Sequence, residues 1–417
     1  MSSYKNMRCG LIGEHLGHSF SAIIHERIAD YSYELRELPP EAVGDFVRNG
    51  SLDAFNVTIP YKKTVMPYLD RISQEARRIG AVNTVVRRED GSLDGYNTDY
   101  FGFSEMLLRI CPSVQGKKAV ILGSGGASAT VRAVLTDMGA EPVIVVGRAL
   151  EDNYENISRH ADARIIVNAT PVGMYPNCGE SPISLSEFPL CEAVLDLIYN
   201  PARTALLFEA ERLGIPCMNG LLMLVAQAVR AYEFFVGDRA EPSVVDAITR
   251  DIAFDTQNIV LIGMPGCGKS VVGERIAKIL GRRFLDADGE FTKMHGMTPA
   301  DAIATLGEEG FRELESKTLC ELCKGSGAVI ATGGGAVTRE RNLDTLRQNG
   351  TVVYLRRELS RLATGGRPLS QKMGVEALFE RRREAYERFS HIAVDSAEDV
   401  ELTARLIIEK VKEGIGK

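Results

Sequence analysis

The stretch VLIGMPGCGKSVVGERIAKIL, residues 260–280, has the pattern of a buried strand, a glycine-rich turn and a helix. The turn fits G-x-x-x-x-G-K-[ST] at every constrained position. Its amides can surround phosphate oxygens, the Lys269 ammonium can neutralise them, and the Ser270 hydroxyl can ligate Mg²⁺. The pattern predicts a nucleoside triphosphate site but leaves open whether water or another acceptor receives the phosphate. We expect the nucleotide to contact Gly263, Pro265, Gly266, Cys267, Gly268, Lys269 and Ser270, with Cys267 supplying only its amide.

A second glycine loop, GSGGAS at residues 123–128, also follows a strand and opens a helix. Its amides can face the pyrophosphate of a dinucleotide. Ser128 replaces the third glycine of G-x-G-x-x-G, so an ordinary strand-to-helix turn is the alternative. The next strand ends in Gly147 and Arg148, where an NAD enzyme typically has an acidic residue. A guanidinium there favours NADP, although Glu151 and Asp152 follow closely.

The composition bounds the class of protein. With 417 residues we expect two or three domains, and 45% hydrophobic and 25% charged residues are ordinary for a globular chain. We predict a cytoplasmic protein without a membrane segment, since no apolar run approaches about 20 residues and the start lacks a signal-peptide hydrophobic region. The net charge of −7 argues against a nucleic-acid partner. Of eight cysteines, only Cys320 and Cys323 have metal-like spacing, and core thiols are the favoured interpretation.

Strand-like and helical runs alternate through the first half of the chain, which predicts a mostly parallel sheet. Polar groups follow several of these strands, and ligands bind at the carboxyl ends of strands in such sheets. Hydroxyls, amides, one lysine and one aspartate suit a polyhydroxylated carboxylate, and Lys62 with Asp99 could transfer a proton in a ketone reduction. Taken singly, Asn97 and Thr98 could equally cap a helix, Lys62 could be a solvated loop residue, and Gln227 a polar spot on a helix.

Together, these segments resemble the shikimate dehydrogenase family over residues 7–254. The resemblance is carried by HSFS, FNVTIPYKK, GAVNTVV, GYNTDYFGF, GSGGAS, VNATPVGM, VLDLIYNP and NGLLMLVAQAVRAYEFF. It implies Lys62 and Asp99 as the catalytic pair, and contacts to shikimate or 3-dehydroshikimate from Ser19, Ser21, Thr58, Lys62, Asn83, Asp99 and Gln227. It also implies NADP binding by Gly123, Ser124, Gly125, Gly126, Ala127 and Arg148. The stretch 148–164 is short for this family, so we expect a trimmed helix beside the adenosine.

The chain after the triphosphate loop contains candidate groups that could bind the molecule that accepts the phosphate. Asp286 and Asp288 stand at alternate positions at a strand end and could bind a ligand, or they could simply cap the following helix. Arg312 lies on a helix and could bind an anion, or it could form a surface salt bridge. The run GAVIATGGGAV ends a strand in three glycines, which allows a ligand to approach the backbone closely.

These segments resemble the shikimate kinase family over residues 258–417, which implies a P-loop fold with five parallel strands and a lid. The resemblance implies that Asp288 holds the acceptor hydroxyl and takes its proton, and that Asp286 and Ser270 hold the metal. It places the substrate at Asp288, Arg312, Gly333, Gly334, Gly335 and Arg382. It also places Lys269 and the lid residue Arg367 at the phosphates, as catalytic groups that stabilise the transferring phosphoryl group.

The two resemblances imply successive reactions that share one intermediate. We therefore predict a bifunctional α/β protein that uses NADP, ATP and Mg²⁺. Its expected domains are a substrate-binding domain at 1–101 and 219–254, a Rossmann NADP domain at 102–218, and a P-loop kinase domain at 255–417, after a separating segment FDTQN at 254–258. The alternatives are an active dehydrogenase carrying a P-loop domain that only binds nucleotide as a regulatory or structural module, and quinate as the dehydrogenase substrate.

Overall fold

The computed structural model describes residues 4–17, 20–362 and 374–415. Ser19, Arg367 and the expected lid around Arg367 lie outside the described residues. The chain divides into two compact units, described separately below. The first comprises Met1–Gly173, Gly179–Tyr199 and Leu206–Thr249, and the second Met174–Cys178, Asn200–Ala205 and Arg250–Lys417.

The first unit begins with a six-stranded sheet of order β2-β1-β3-β5-β6-β4. Its elements are β1 (Arg8–Gly13), α1 (Ser21–Ile28), β2 (Ser32–Glu37), α2 (Val43–Asn49), β3 (Ala54–Val57), β4 (Arg71–Ile72), α3 (Gln74–Ile79), β5 (Thr84–Arg87), β6 (Leu93–Tyr96) and α4 (Asp99–Ile110).

Five of the six strands run in the same direction, so the expectation of a mostly parallel sheet is confirmed, and β5 is the one strand that is reversed. β5 pairs antiparallel with both β3 and β6, whereas β1 pairs parallel with β2 and β3. Only residues 88–92 join β5 to β6, and a parallel crossover needs about a dozen residues or more. A hairpin is the connection that so short a segment allows.

A second, five-stranded sheet in the same unit has the order β11-β10-β9-β7-β8. Every pair in it is parallel, as expected for a Rossmann domain. Its elements are β7 (Ala119–Leu122), α5 (Gly126–Asp137), β8 (Val143–Val146), β9 (Ile165–Asn168), β10 (Ala193–Asp196), α6 (Ala205–Arg212) and β11 (Cys217–Asn219). Between β8 and β9, a stretch described throughout, the structure has the 3₁₀ turn Ile157–His160 and no α-helix, in keeping with the short segment noted in the sequence.

Helix α7 (Leu221–Val236) returns the chain to the first sheet, where it packs on α1 and α4. A Cβ added to Gly102 of α4 would lie 2.5 Å from the carbonyl oxygen of Met223, so glycine is what permits this close helix contact. The packing brings Gln227 of α7 to the same cavity as Asp99, which begins α4.

Helix α8 (Val244–Thr256) extends into the segment FDTQN that was expected to separate the domains. It continues through most of the expected separating segment, and β12 begins at Asn258. Ile248 and Ile252 are buried four residues apart, so the apolar face that holds this helix in place extends close to its end.

The second unit contains a five-stranded sheet of order β13-β14-β12-β15-β16, with all pairs parallel as expected. Its elements are β12 (Asn258–Ile262), α9 (Lys269–Leu280), β13 (Phe284–Asp286), α10 (Ala287–His295), α11 (Pro299–Lys324), β14 (Val329–Ala331), α12 (Asn342–Arg347), β15 (Gly350–Arg356), α13 (Val375–Phe389), β16 (Ile392–Asp395) and α14 (Val400–Glu413). β12 is buried along its whole length because helices cover both faces of the sheet.

Helix α11 is interrupted at Gly307, whose φ of 75° and ψ of 173° lie outside the helical region. Glycine adopts this backbone without steric cost. The break starts a new helical segment, and that segment carries Arg312 and Glu315 to the end of the sheet where the glycine loop lies.

No helix in the described parts of the chain is long and apolar enough to cross a membrane.

Candidate active sites

A cavity of about 520 Å³ lies in the first unit, at the carboxyl ends of β1 and β3. Its wall includes Ala127 of the dinucleotide loop, so a ligand here can meet a bound dinucleotide. Of the seven substrate residues expected from the sequence, the six that are described all line it: Ser21, Thr58, Lys62, Asn83, Asp99 and Gln227. The polar clusters identified in the sequence therefore form one site.

Lys62 and Asp99 form an ion pair at this cavity, with Nζ donating to Oδ2 at 2.6 Å. Their side chains are 29% and 16% exposed, so the lysine is not the solvated loop residue that the sequence left possible. The ammonium keeps two further N–H donors. A carbonyl oxygen placed beside Lys62 could therefore receive a hydrogen bond and then a proton, while Asp99 holds the ammonium in position.

The amides around the pocket are fixed from behind by a buried network. Asn83 Oδ1 accepts hydrogen bonds from the Thr98 backbone N–H at 2.7 Å and from the Thr84 hydroxyl at 3.1 Å. The Thr98 hydroxyl lies 3.4 Å from Gln227 Oε1. Asn97 Oδ1 accepts from the Tyr100 N–H at 3.3 Å, so the capping interpretation holds for Asn97. Asn83 is thus both a pocket residue and a structural one.

A buried aromatic layer that the sequence did not single out supports the same wall. Tyr33 donates to Asn56 Oδ1 at 2.8 Å, and Asn56 lines the cavity. His25 stacks on Tyr33 with ring centroids 4.0 Å apart, and burial lowers its pKa to about 3. His25 is therefore neutral at physiological pH and has a packing role.

The dinucleotide loop has the geometry that its glycines suggested. Gly123 has a φ of 102°, and a Cβ there would lie 2.8 Å from the Thr170 side chain. Gly123, Ser124 and Gly125 line a cavity of about 660 Å³ together with Gly147 and Arg148. Gly126 and Ala127 line the neighbouring cavities. The residues expected to bind NADP therefore line neighbouring cavities.

Asp152, one of the two acidic residues that weakened the NADP interpretation, is engaged within the protein. Asp152 Oδ1 lies 2.8 Å from His160 Nε2, and its backbone carbonyl accepts from the Gly147 N–H at 3.0 Å. An aspartate held in this way is engaged away from a ribose, whereas the Arg148 side chain is exposed beside the cavity. This arrangement favours a ligand with a 2′-phosphate.

The triphosphate loop lines a cavity of about 640 Å³ in the second unit. Gly263, Gly266 and Gly268 have φ values of 146°, 84° and 101°, which only glycine adopts readily. Lys269 Nζ donates to the carbonyl oxygens of Gly263 and Met264 at 3.0 and 3.1 Å. These two hydrogen bonds therefore fix the position of the Lys269 ammonium relative to the loop.

The remaining expected kinase residues within the described ranges line the same cavity, namely Pro265, Asp286, Asp288, Arg312, Gly333, Gly334, Gly335 and Arg382, together with Ser270. The Cys267 side chain is fully buried in the hydrophobic core, which leaves only its amide for a ligand.

Ser270 and Asp286, the two residues expected to bind the metal, are in direct contact. The Ser270 hydroxyl donates to Asp286 Oδ2 at 2.6 Å, while Asp286 Oδ1 accepts from the backbone N–H groups of Asp288 and Gly289 and caps α10. The N-cap interpretation and the metal interpretation are thus compatible. A hydroxyl and a carboxylate are hard oxygen donors that fit Mg²⁺, which retains waters and phosphate oxygens as its other ligands. Within the described ranges no group of three or more His, Cys, Asp or Glu side chains could hold a metal alone.

Opposite the loop, a buried charge cluster faces the same cavity. Arg312 Nη1 donates to Glu315 Oε2 at 2.6 Å, and each side chain is 6% exposed. Arg382 Nη1 donates to the Gly334 carbonyl at 3.1 Å. Burial raises the pKa of Glu315, an effect that Arg312 opposes, and lowers the pKa of Arg382. Arg312 is therefore not in a surface salt bridge.

Several buried polar atoms of this cluster have no partner among the described residues. They are Nε of Arg312, Nε of Arg382 and Oε1 of Glu315. Unpaired buried polar atoms are costly, and such a group at a cavity is what an anionic, hydroxylated ligand would satisfy. A Cβ on Gly335 would overlap the Arg312 guanidinium, so the glycine run leaves room for the arginine.

Asp288 faces the open part of this cavity. Its surroundings raise the pKa of its carboxyl group, first through desolvation and then through the negative charge of Asp286. A raised pKa makes a carboxylate a better proton acceptor near neutral pH. Asp288 is therefore suited to accept the proton of a hydroxyl group.

Sequence reasoning missed three residues at this second site. Glu315 is one helical turn beyond Arg312, and that spacing could have identified it. Tyr386 donates to the Gly334 carbonyl at 2.5 Å and is one turn beyond Arg382. Arg357 also lines the cavity, but nothing in the sequence distinguishes it from its charged neighbours.

Comparisons with known proteins agree with these two sites. The model of the family described as "Shikimate dehydrogenase substrate binding domain" matches residues 11–85, and that of "Shikimate kinase" matches residues 265–412. A "Shikimate dehydrogenase (NADP(+))" of Caldanaerobacter subterraneus subsp. tengcongensis is 36% identical over 256 residues, covering 55% of this chain and 91% of that protein.

Solved structures give the same result for the first part of the chain. Shikimate dehydrogenase 1 from Peptoclostridium difficile is 40% identical with a TM-score of 0.54, covering 59% of this chain and 97% of the other. Shikimate 5-dehydrogenase from Thermus thermophilus, solved with NADP(H) and shikimate, is 32% identical with a TM-score of 0.53 and covers 59% and 99%. The chain therefore belongs to the shikimate dehydrogenase family, here joined to a shikimate kinase domain.

Proposed function

We propose that the chain catalyses two successive reactions. The first is the reduction of 3-dehydroshikimate to shikimate with NADPH, and the second is the transfer of the γ-phosphate of ATP to the 3-hydroxyl of shikimate. The observation that carries the proposal is that each cavity brings together the groups expected for its reaction that lie within the described residues. In each, a nucleotide loop faces a cluster of polar side chains that suits a hydroxylated carboxylate.

In the reduction, Lys62 donates a hydrogen bond and then a proton to the carbonyl oxygen, and Asp99 holds the ammonium in place. Ser21, Thr58, Asn83 and Gln227 bind the ring hydroxyls and the carboxylate. When it is bound, NADPH supplies the hydride. Negative charge grows on the oxygen in the transition state, so Lys62 contributes most at that point.

In the phosphoryl transfer, the loop amides and Lys269 hold the phosphates, and Ser270 with Asp286 would hold Mg²⁺, which would neutralise charge on the phosphates. Asp288 accepts the proton of the attacking hydroxyl. Arg312 and Arg382 bind the substrate carboxylate beside Gly333, Gly334 and Gly335. Positioning and charge neutralisation are the main contributions a protein makes to this reaction.

The competing possibility is a P-loop domain that binds nucleotide without catalysis. A domain retained only to bind nucleotide would have no use for the buried, partly unpaired Arg312 and Glu315 opposite the loop, since unsatisfied buried charge is costly. The substrates of both reactions are small molecules. We place the enzyme in the cytoplasm, and its eight free cysteines suit a reducing compartment.

The Lys269→Ala variant separates the two possibilities. We expect it to lose shikimate-dependent ADP formation while NADPH oxidation with 3-dehydroshikimate continues at the rate of the unmodified protein. Absence of shikimate-dependent ADP formation in the unmodified protein would show that the second site does not catalyse this reaction.

A further inference from the structure

Arg357 follows the last residue of β15, beside the triphosphate loop. β15 pairs with β12, the strand that leads into the loop. Arg357 Nη1 lies 3.7 Å from the position that a Cβ on Gly268 would occupy, and its side chain lines the same cavity as Gly266 and Lys269. The guanidinium is therefore next to the amides expected to bind phosphate.

The neighbouring arginines are neutralised, but Arg357 is not. Arg356 donates to Asp395 at 2.8 Å, and Arg361 contacts Glu358 at 3.3 Å and Glu398 at 3.0 Å. Across the described part of the chain, Arg357 has no hydrogen bond and no ion pair. Its partly buried positive charge is left uncompensated at the entrance of an anion site.

We propose that Arg357 binds the phosphate chain of the nucleotide, as a second cation besides Lys269. This inference rests on the proposed use of ATP by this site. A guanidinium presents a planar set of donors that can hold two phosphate oxygens at once, which an ammonium cannot do. Phosphate is favoured over adenine because Gly268, the loop residue beside the Arg357 guanidinium, offers a backbone amide and no apolar or aromatic surface.

Lys269 and Arg357 differ in the contacts that they must give up when they bind phosphate. Lys269 Nζ already donates to two loop carbonyls. Arg357 gives up only water, and its backbone is fixed at the end of a central strand. Holding such a donor near its working position reduces the ordering that binding requires.

The test is equilibrium binding of Mg²⁺-ADP to the full chain by calorimetry, with NADP⁺ present to occupy the dinucleotide site. We expect Arg357→Gln to raise the Kd about tenfold, the loss of one charge-assisted contact, equivalent to about 1.4 kcal/mol. Arg357→Lys should recover part of the affinity. The matched control is Arg356→Gln, which removes the adjacent, paired arginine and should leave the Kd within about twofold of the unmodified protein.

Two results would overturn the inference. One is an Arg357→Gln Kd that equals that of Arg356→Gln, and the other is an equal loss of affinity for adenosine, which would place the contact at the base. Circular dichroism and the thermal unfolding transition of each variant report that the domain carrying Arg357 is folded. If Arg357→Gln weakens ADP binding but the unmodified protein forms no ADP with shikimate, the inference stands and the proposed kinase function fails.

Discussion

Replacing Lys62 by glutamine removes the ammonium at the proposed hydride-accepting carbonyl while keeping a side chain that can still donate to Asp99. In the structure, Nζ lies 2.6 Å from Asp99 Oδ2 in a pocket where both side chains are largely covered. Loss of one preorganised donor to a developing oxyanion costs about 2.7–4 kcal/mol, or about 10²–10³-fold in kcat. We therefore expect Lys62→Gln to lower kcat for NADPH-dependent reduction by that factor.

The KM for 3-dehydroshikimate should change much less, by about fivefold at most, because the contact strengthens mainly in the transition state. Steady-state NADPH oxidation measures both constants, and circular dichroism with thermal unfolding reports folding. The control is Lys5→Gln, which alters an exposed lysine that lines none of the cavities described for the first unit and should leave kcat unchanged. A large rise in KM with a normal kcat, or an equal effect of Lys5→Gln, would refute the role of Lys62.

Three further results are expected. Arg148→Ala should raise the KM for NADPH about tenfold and the KM for NADH little, because a guanidinium recognises the 2′-phosphate; equal effects on both cofactors would count against this. The environment of Asp288 raises the pKa of its carboxyl group above 3.8. Kinase kcat/KM for shikimate should therefore fall on acidification, with a midpoint above pH 3.8. The Asp288→Asn variant should lose this pH dependence along with most of the activity. Gly335→Ala should weaken shikimate binding in the kinase assay by displacing Arg312, whereas Gly289→Ala, whose added Cβ would come no closer than 3.9 Å to other atoms, should have little effect.

The Asp288→Asn variant also has a defined effect on stability. A carboxyl group whose pKa is higher in the folded than in the unfolded state destabilises the fold when it is ionised, so stability falls as pH rises through the ordinary carboxyl range. At neutral pH the asparagine variant should therefore unfold at a temperature no lower than the unmodified protein. A marked drop in that temperature would indicate a structural role instead.

The fold classes were accessible from the sequence because each depends on local patterns. Gly263, Gly268 and Lys269 fix the turn between β12 and α9, and the strands around them are continuous apolar runs that suit a sheet covered on both faces. The antiparallel pairing of β5 was not predicted, although the short connection at residues 88–92 carried the necessary information.

The sites were only partly accessible. Lys62 and Asp99 are 37 positions apart, and only the tertiary fold, which places the turn after β3 beside the start of α4, brings Nζ and Oδ2 to 2.6 Å. Glu315 could have been inferred from its helical spacing to Arg312. Arg357 could not, because its significance depends on which neighbouring arginines find carboxylates, and those partners lie on other elements.

The central claim, that one chain performs both reactions, is tested most directly by supplying 3-dehydroshikimate, NADPH, ATP and Mg²⁺ to the unmodified protein and identifying the product by mass spectrometry. We predict shikimate 3-phosphate, with one NADPH oxidised and one ADP formed for each molecule. Accumulation of unphosphorylated shikimate, with ADP formation no greater than without substrate, would contradict the claim.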